Sequence, residues 1–228
     1  MVDGLLLTGS GLRKRFGKTT ALDGVSVEIR PGELVAVMGP SGSGKSTLLH
    51  CLAGILRPDE GEVWFDGERI DALGEGPRTK LRRSSFGFVF QLGQLVSELT
   101  LTENVALPLL LAGRPRREAS AEAEAWLDRL GIRDVSAHRP GEVSAGQGQR
   151  AAVARALIHE PRVVFADEPT GALDSLAGEQ VMELLVGAAK EREVAILLVT
   201  HDVRVAAYAD REVIVRDGRV ANATVAVG

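Results

Sequence analysis

Leu34-Val35-Ala36-Val37-Met38-Gly39-Pro40-Ser41-Gly42-Ser43-Gly44-Lys45-Ser46-Thr47 is the stretch that decides the fold. Apolar residues of strand character run into a glycine-rich loop, and the loop runs into the helical pattern Lys45 to Ile55. This is the strand, loop and helix order of a phosphate cradle of the form G-x-x-x-x-G-K-[ST]. Glycines let the backbone curl until successive N–H groups point inward, and the following helix adds its positive end. Lys45 then reaches the β and γ phosphates of a nucleotide, and Ser46 stands where a hydroxyl holds Mg²⁺. Gly39, Pro40, Ser41, Gly42, Ser43, Gly44, Lys45, Ser46 and Thr47 are accordingly the expected nucleotide contacts.

Two further apolar runs, Val163 to Ala166 and Ala195 to Val199, have the Val and Ile content of strands buried on both faces of a parallel sheet. Helical patterns at Ala145 to Ile158 and Leu176 to Ala189 alternate with them, so the expected class is α/β. Each run ends in polar groups. Asp167-Glu168 closes the first of the two, at the strand end where open α/β sheets bind ligands. There Asp167 is placed to hold Mg²⁺ through water and Glu168 to polarise the attacking water as general base. An Asp-Glu pair by itself is most often a solvated loop; its position behind Val163-Val164-Phe165-Ala166 is what argues for chemistry. Thr200-His201-Asp202 closes the other run, and His201 is placed to donate a hydrogen bond to the γ-phosphate. His50, His138 and His159 read as ordinary core or surface residues.

The N-terminal third differs, with short alternating segments such as Val25 to Ile29 and Val63 to Phe65 between Pro-Gly and Asp-Gly turns, which predicts an antiparallel subdomain. From about Thr100 to Arg139 the composition is helical, opened by the capping box Thr100-Leu101-Thr102-Glu103. Ser144-Ala145-Gly146-Gln147 is a second capping box, most simply a helix start, yet a capped N-terminus with small residues also suits an anion. The 228 residues carry a net charge of -4, which disfavours a nucleic-acid partner, since duplex binders present a basic surface. Cys51, the single cysteine, lies in an apolar stretch and reads as a small core residue in a reducing compartment. The longest apolar stretch, near Val105 to Ala112, contains Pro108 and is far short of a membrane span; no signal peptide is expected, so any membrane role is borrowed.

Together these elements resemble the ABC transporter ATPases, over essentially the whole chain and in the family's motif order. The resemblance implies a P-loop NTPase (RecA-like) core, about 1–91 and 155–228, with the N-terminal antiparallel β subdomain and an α-helical signature lobe, about 92–154. It implies that Val143-Ser144-Ala145-Gly146-Gln147 is the signature motif, with Ser144, Gly146 and Gln147 meeting the γ-phosphate held by a second subunit. Gln91, after Phe86-Gly87-Phe88-Val89-Phe90, matches the Q-loop residue that contacts Mg²⁺ and water, and Asp174 in Ala172-Leu173-Asp174 matches the D-loop. Phe16 stands where an aromatic ring stacks on adenine. The implied cofactors are ATP and Mg²⁺. The implied partners are a second copy or a paralogous subunit in a nucleotide-sandwich dimer, and integral-membrane permeases that hold the chain on the inner face of the cell membrane.

Within the family, Gly87-Phe88-Val89-Phe90-Gln91 and Glu103-Asn104-Val105-Ala106-Leu107-Pro108-Leu109-Leu110 look like the macrolide-exporter and lipoprotein-release group. Ala145 departs from the signature, which has glycine there. Alanine fits without strain if the position uses negative φ and weakens the site if it needs positive φ. The alternative function is a soluble non-transport member such as an iron-sulfur assembly ATPase. A purely regulatory module is disfavoured, because both Lys45 and Glu168 are present.

Overall fold

The computed structural model describes residues 4–91 and 93–225. In chain order the elements are β1 (Leu7–Phe16), β2 (Thr19–Ile29), β3 (Leu34–Met38), α1 (Lys45–Leu52), β4 (Glu60–Phe65), β5 (Glu68–Arg69), α2 (Glu75–Ser85), β6 (Phe86–Phe90), α3 (Leu101–Leu111), α4 (Arg116–Arg129), α5 (Ala145–Leu157), β7 (Val163–Asp167), α6 (Ser175–Lys190), β8 (Ala195–Val199), α7 (Val203–Ala206), β9 (Arg211–Arg216) and β10 (Arg219–Val225). Two compact units result. One comprises the residues up to Arg82 and those from Glu193 onward, and the other is Arg83–Arg192.

In the first unit the expected antiparallel subdomain is a sheet in the order β2-β1-β4-β5, with Leu7 opposite Ile29 on one side and Phe65 on the other. Alternate residues of these strands, among them Leu12, Val25, Val27 and Val63, face inward and are buried, which is the pattern of a half-solvated sheet. Trp64, the outward residue between Val63 and Phe65, is 39% exposed. The continuous apolar run of β3 pairs in parallel with β8 (Val35 opposite Leu197) and with β9 (Val37 opposite Val213), and β10 turns back antiparallel on β9. No polar side chain interrupts β3 or β8, as strands covered on both faces require. Helix α1 ends at Leu52, short of the expected Ile55, because Gly54 follows with φ +63°. Cys51 is buried, and burial pushes its thiol up to about 11, so it is the inert core residue the sequence suggests.

In the second unit β6 and β7 pair in parallel, with Phe86 opposite Val163 and Phe90 opposite Asp167. Phe165 meets Phe86 edge-on at 5.2 Å and Phe88 face-on at 5.6 Å between ring centroids. Helices α3 and α4 lie in the stretch of helical composition, and the Thr100–Glu103 capping box is made. Pro108, which the sequence offers as an interruption, lies inside α3. Its ring forgoes one amide bond. The helix is nonetheless anchored upstream by buried Asn104, whose side chain accepts from Val96 N and donates to the Val96, Leu99 and Thr100 carbonyls. Trp126 on α4 is 4% exposed, with the Arg129 and Arg192 guanidinium groups 5.3 and 4.8 Å from its ring. Helix α2 was not expected from the sequence. It buries no residue and is held by Glu75, which accepts from Arg78 at 2.5 Å and Arg82 at 2.7 Å.

Candidate functional site

In the first unit the phosphate loop is shaped by positions that exclude a side chain. A Cβ on Gly39, where φ is +147°, would lie 2.0 Å from the Val215 carbonyl oxygen, and one on Gly44, where φ is +105°, 2.2 Å from the Ala21 oxygen. Lys45 is only 8% exposed, and its Nζ donates back into the loop to the Gly39 and Pro40 carbonyls, each at 2.9 Å. Helix α1 begins directly after the left-handed Gly44 with no side-chain cap. Among the described residues, buried Ser43 Oγ has no hydrogen-bond partner. A buried hydroxyl without a partner costs free energy that a bound acceptor recovers. The loop is backed by the β9–β10 turn, where Gly218 N donates to Ser43 O at 3.0 Å and Gly218 O accepts from Asp23 N at 2.7 Å. A hydrogen bond from Arg219 holds the Asp23 carboxyl below the usual carboxylate range.

At the end of β8, Thr200 N donates to Val37 O at 3.2 Å, which carries His201 to the same end of the parallel strands as the loop. His201 is exposed, while Thr200 is buried. Asp202 caps α7, and Arg204 binds its carboxylate and lowers its pKa. Phe16 closes β1 half-exposed, with Lys14 Nζ over its ring, 5.8 Å from the centre.

The second unit gathers the remaining expected residues. Asp167 ends β7, and Glu168 follows with a left-handed backbone, φ +48°. Its carbonyl accepts from Gly171 N at 3.0 Å, which closes a tight turn. Gln91 is exposed, with its amide laid over Gly171, where an added Cβ would come 2.7 Å from Gln91 Nε2. The Gln91 loop and the Glu168 turn are therefore neighbours. Ser144 caps α5, and its hydroxyl accepts from Gln147 N at 3.2 Å while Gln147 Oε1 accepts from Ser144 N at 2.9 Å. Ala145 is the first residue of α5, so it takes right-handed helical φ and the methyl brings no strain. Asp174 caps α6 through Ala177 N at 2.9 Å. Ser144, Gly146, Gln147, Ala172 and Asp174 line one cleft of about 420 Å³, which joins the signature and D-loop segments.

Ser46, Gln91 and Asp167 offer a hydroxyl, an amide and a carboxylate, all hard oxygen donors of the kind Mg²⁺ takes alongside substrate phosphates. Among the described residues no group of three or more His, Cys, Asp or Glu side chains could hold a metal ion.

Two residues of this unit escape the sequence reading. Gln149 is 2% exposed and its Nε2 donates to the Phe90 carbonyl at 2.9 Å and the Pro169 carbonyl at 2.7 Å. Arg155 donates to the Gly93 and Gln94 carbonyls at 2.7 and 2.8 Å. The available signal was a glutamine on a helix whose following residues, Ala151 to Ala154, are all apolar.

Comparison with known proteins gives one consistent result. The family model described as ABC transporter matches residues 22–171. The lipoprotein-releasing system ATP-binding protein LolD of Granulibacter bethesdensis is 46% identical over 200 residues, 87% of each chain. The macrolide export ATP-binding/permease protein MacB 1/2 of Paracoccus denitrificans is 46% identical over 90% of this chain, which spans 30% of that longer protein. A solved dimeric ATP-binding cassette in a post-hydrolysis state, bound to ADP and phosphate, superposes with a TM-score of 0.91 at 37% identity, covering 98% of this chain and all of the other.

Proposed function

The chain belongs to the ABC transporter family of ATPases, and from that premise we propose that it serves a permease of the lipoprotein-release and macrolide-export kind, through the residues described above. As a member it hydrolyses ATP to ADP and phosphate, acts as a dimer of cassettes and drives separate membrane subunits. Among its described residues no helix is long and apolar enough to cross a membrane. The relatives are transporter components, which disfavours the soluble iron-sulfur assembly alternative.

The observation that carries the site reading is the phosphate loop, whose Gly39 and Gly44 admit no side chain and whose Lys45 and Ser43 face inward. In the proposed reaction Lys45 turns from the Gly39 and Pro40 carbonyls to the β and γ phosphates, so contacts to anionic oxygens replace two ammonium-to-carbonyl bonds. Residues Gly39 to Thr47 hold the triphosphate and Phe16 supports adenine. Glu168 takes a proton from the attacking water, Gln91 orients that water and His201 donates to the γ-phosphate. Ser46, Gln91 and Asp167 would hold Mg²⁺, which supplies neutralisation of charge developing on the phosphate oxygens. Ser144, Gly146 and Gln147, with Asp174, serve the nucleotide of the other subunit. The lobe 92–154 is the signature lobe, and the dimer lies on the cytoplasmic face of its permease.

Two broken proteins test the shared site. In a mixture of Lys45→Ala and Ser144→Arg chains, a mixed dimer has one site with both defects and one with neither. Random pairing makes about half of the dimers mixed and leaves about a quarter of the normal sites intact. With Glu168→Gln in both chains, ATP trapping should exceed that of either parent. Trapping at the parental level, with subunit exchange shown by labels, would overturn the model.

A further inference from the structure

We infer that Gln149 is a positioning residue for hydrolysis, binding the Gln91 loop and the Glu168 turn into one body. This rests on the reading of Glu168 as base and adds a residue that the reading lacks. Its Nε2 carries two N–H groups, and both are used: one on the carbonyl of Phe90, immediately before Gln91, and one on the carbonyl of Pro169, immediately after Glu168. The amide is 2% exposed, so water does not compete for those carbonyls. Each bond fixes the peptide next to a functional side chain. The Pro169 carbonyl matters most, because Glu168 holds a left-handed backbone, which for a residue with a side chain persists only where its surroundings over-determine it. Within the Glu168 turn Gly171 N donates to Glu168 O, and Gln149 ties the same turn to a distant helix. Helix α5, which Ser144 caps, thereby delivers one side chain between the water-orienting amide and the base.

The consequence is a specific kinetic signature. The two carbonyls that Gln149 binds belong to the Gln91 loop and the Glu168 turn, so nucleotide capture should not depend on it. The geometry of attack should, because misplacing a positioned group by an ångström costs orders of magnitude in rate.

The test uses the full chain with Gln149→Met, which keeps length and apolar volume and removes both donors. The expected result is a kcat lower by about tenfold or more with the ATP KM within about twofold. Added to Glu168→Gln, the substitution should cost little further rate, because the two act on the same step. A second variant guards against simple misfolding. In Gln149→Glu the buried carboxyl is raised in pKa and can donate to a carbonyl only when protonated, so kcat relative to wild type should recover as pH falls from about 8 to about 6. Wild-type kcat in Gln149→Met, with Glu168→Gln inactive, would overturn the inference and spare the base. An active Glu168→Gln would instead overturn the base itself. A Gln149→Met loss that appears equally in KM, or that multiplies fully with Glu168→Gln, would also sink the inference.

Discussion

The two helix N-termini proposed to meet phosphate in this chain are built in opposite ways. Helix α1 starts after a left-handed glycine with no side-chain cap, and the buried Ser43 hydroxyl beside it has no partner among the described residues. Helix α5 starts with a closed capping box in which Ser144 and Gln147 satisfy each other's backbone amides. The first leaves polar groups for a ligand to complete, while the second is complete without one. A hydroxyl that accepts from an amide still has its own O–H to donate. Ser144 can therefore cap α5 and contact a phosphate together, without local unfolding.

That contrast is easiest to break at α1. Lys45→Ala should abolish tight ATP binding, whereas Glu168→Gln should retain binding and lose about 10²- to 10⁴-fold in hydrolysis. A fluorescent ATP analogue and phosphate release separate the two outcomes. Binding by Lys45→Ala at wild-type affinity would show that the α1 end is not the primary anion site.

At α5 the contrast is sharpened by separating cap from contact. Ser144→Asp keeps an acceptor for Gln147 N, so thermal stability should change little, but it sets a carboxylate where a phosphate is to arrive. ATP-trapped dimer should fall by about tenfold or more, the scale of a lost charge-assisted contact. Ser144→Ala removes both functions and should in addition cost about 1 kcal/mol of stability. Undiminished trapping by Ser144→Asp would leave Ser144 as a cap and nothing more.

The smallest effect belongs to Ala145→Gly. With Ala145 as the first helical residue, the change should cost no more than about 1 kcal/mol and leave ATPase activity within about tenfold. A large gain in activity would show that the methyl obstructs the phosphate despite its relaxed backbone.

The α1 end was legible in the sequence because its determinants are contiguous: strand, glycines, lysine and helix follow one another within Leu34 to Leu52. The ends of β7 and β8 were legible for the same reason, each being an apolar run closed by polar residues. Gln149 was not, because its partners Phe90 and Pro169 lie 59 and 20 residues away and nothing near residue 149 marks them. Helix α2 was hidden for another reason. It buries no side chain, so it has no apolar period, and it begins Glu75-Gly76-Pro77, which reads as a turn. The turn at Glu168 shows a third limit, since a left-handed glutamate is imposed by the surrounding contacts and not by its own preference.

The two tryptophans fall one to each compact unit, Trp64 in the first and Trp126 in the second. Trp126 is enclosed, with two guanidinium groups against its ring, and Trp64 is 39% open on the outer face of its strand. Their emission is therefore separable in the natural chain. A small neutral quencher reaches Trp64 and spares Trp126, so the melting of each unit can be watched by light without any label.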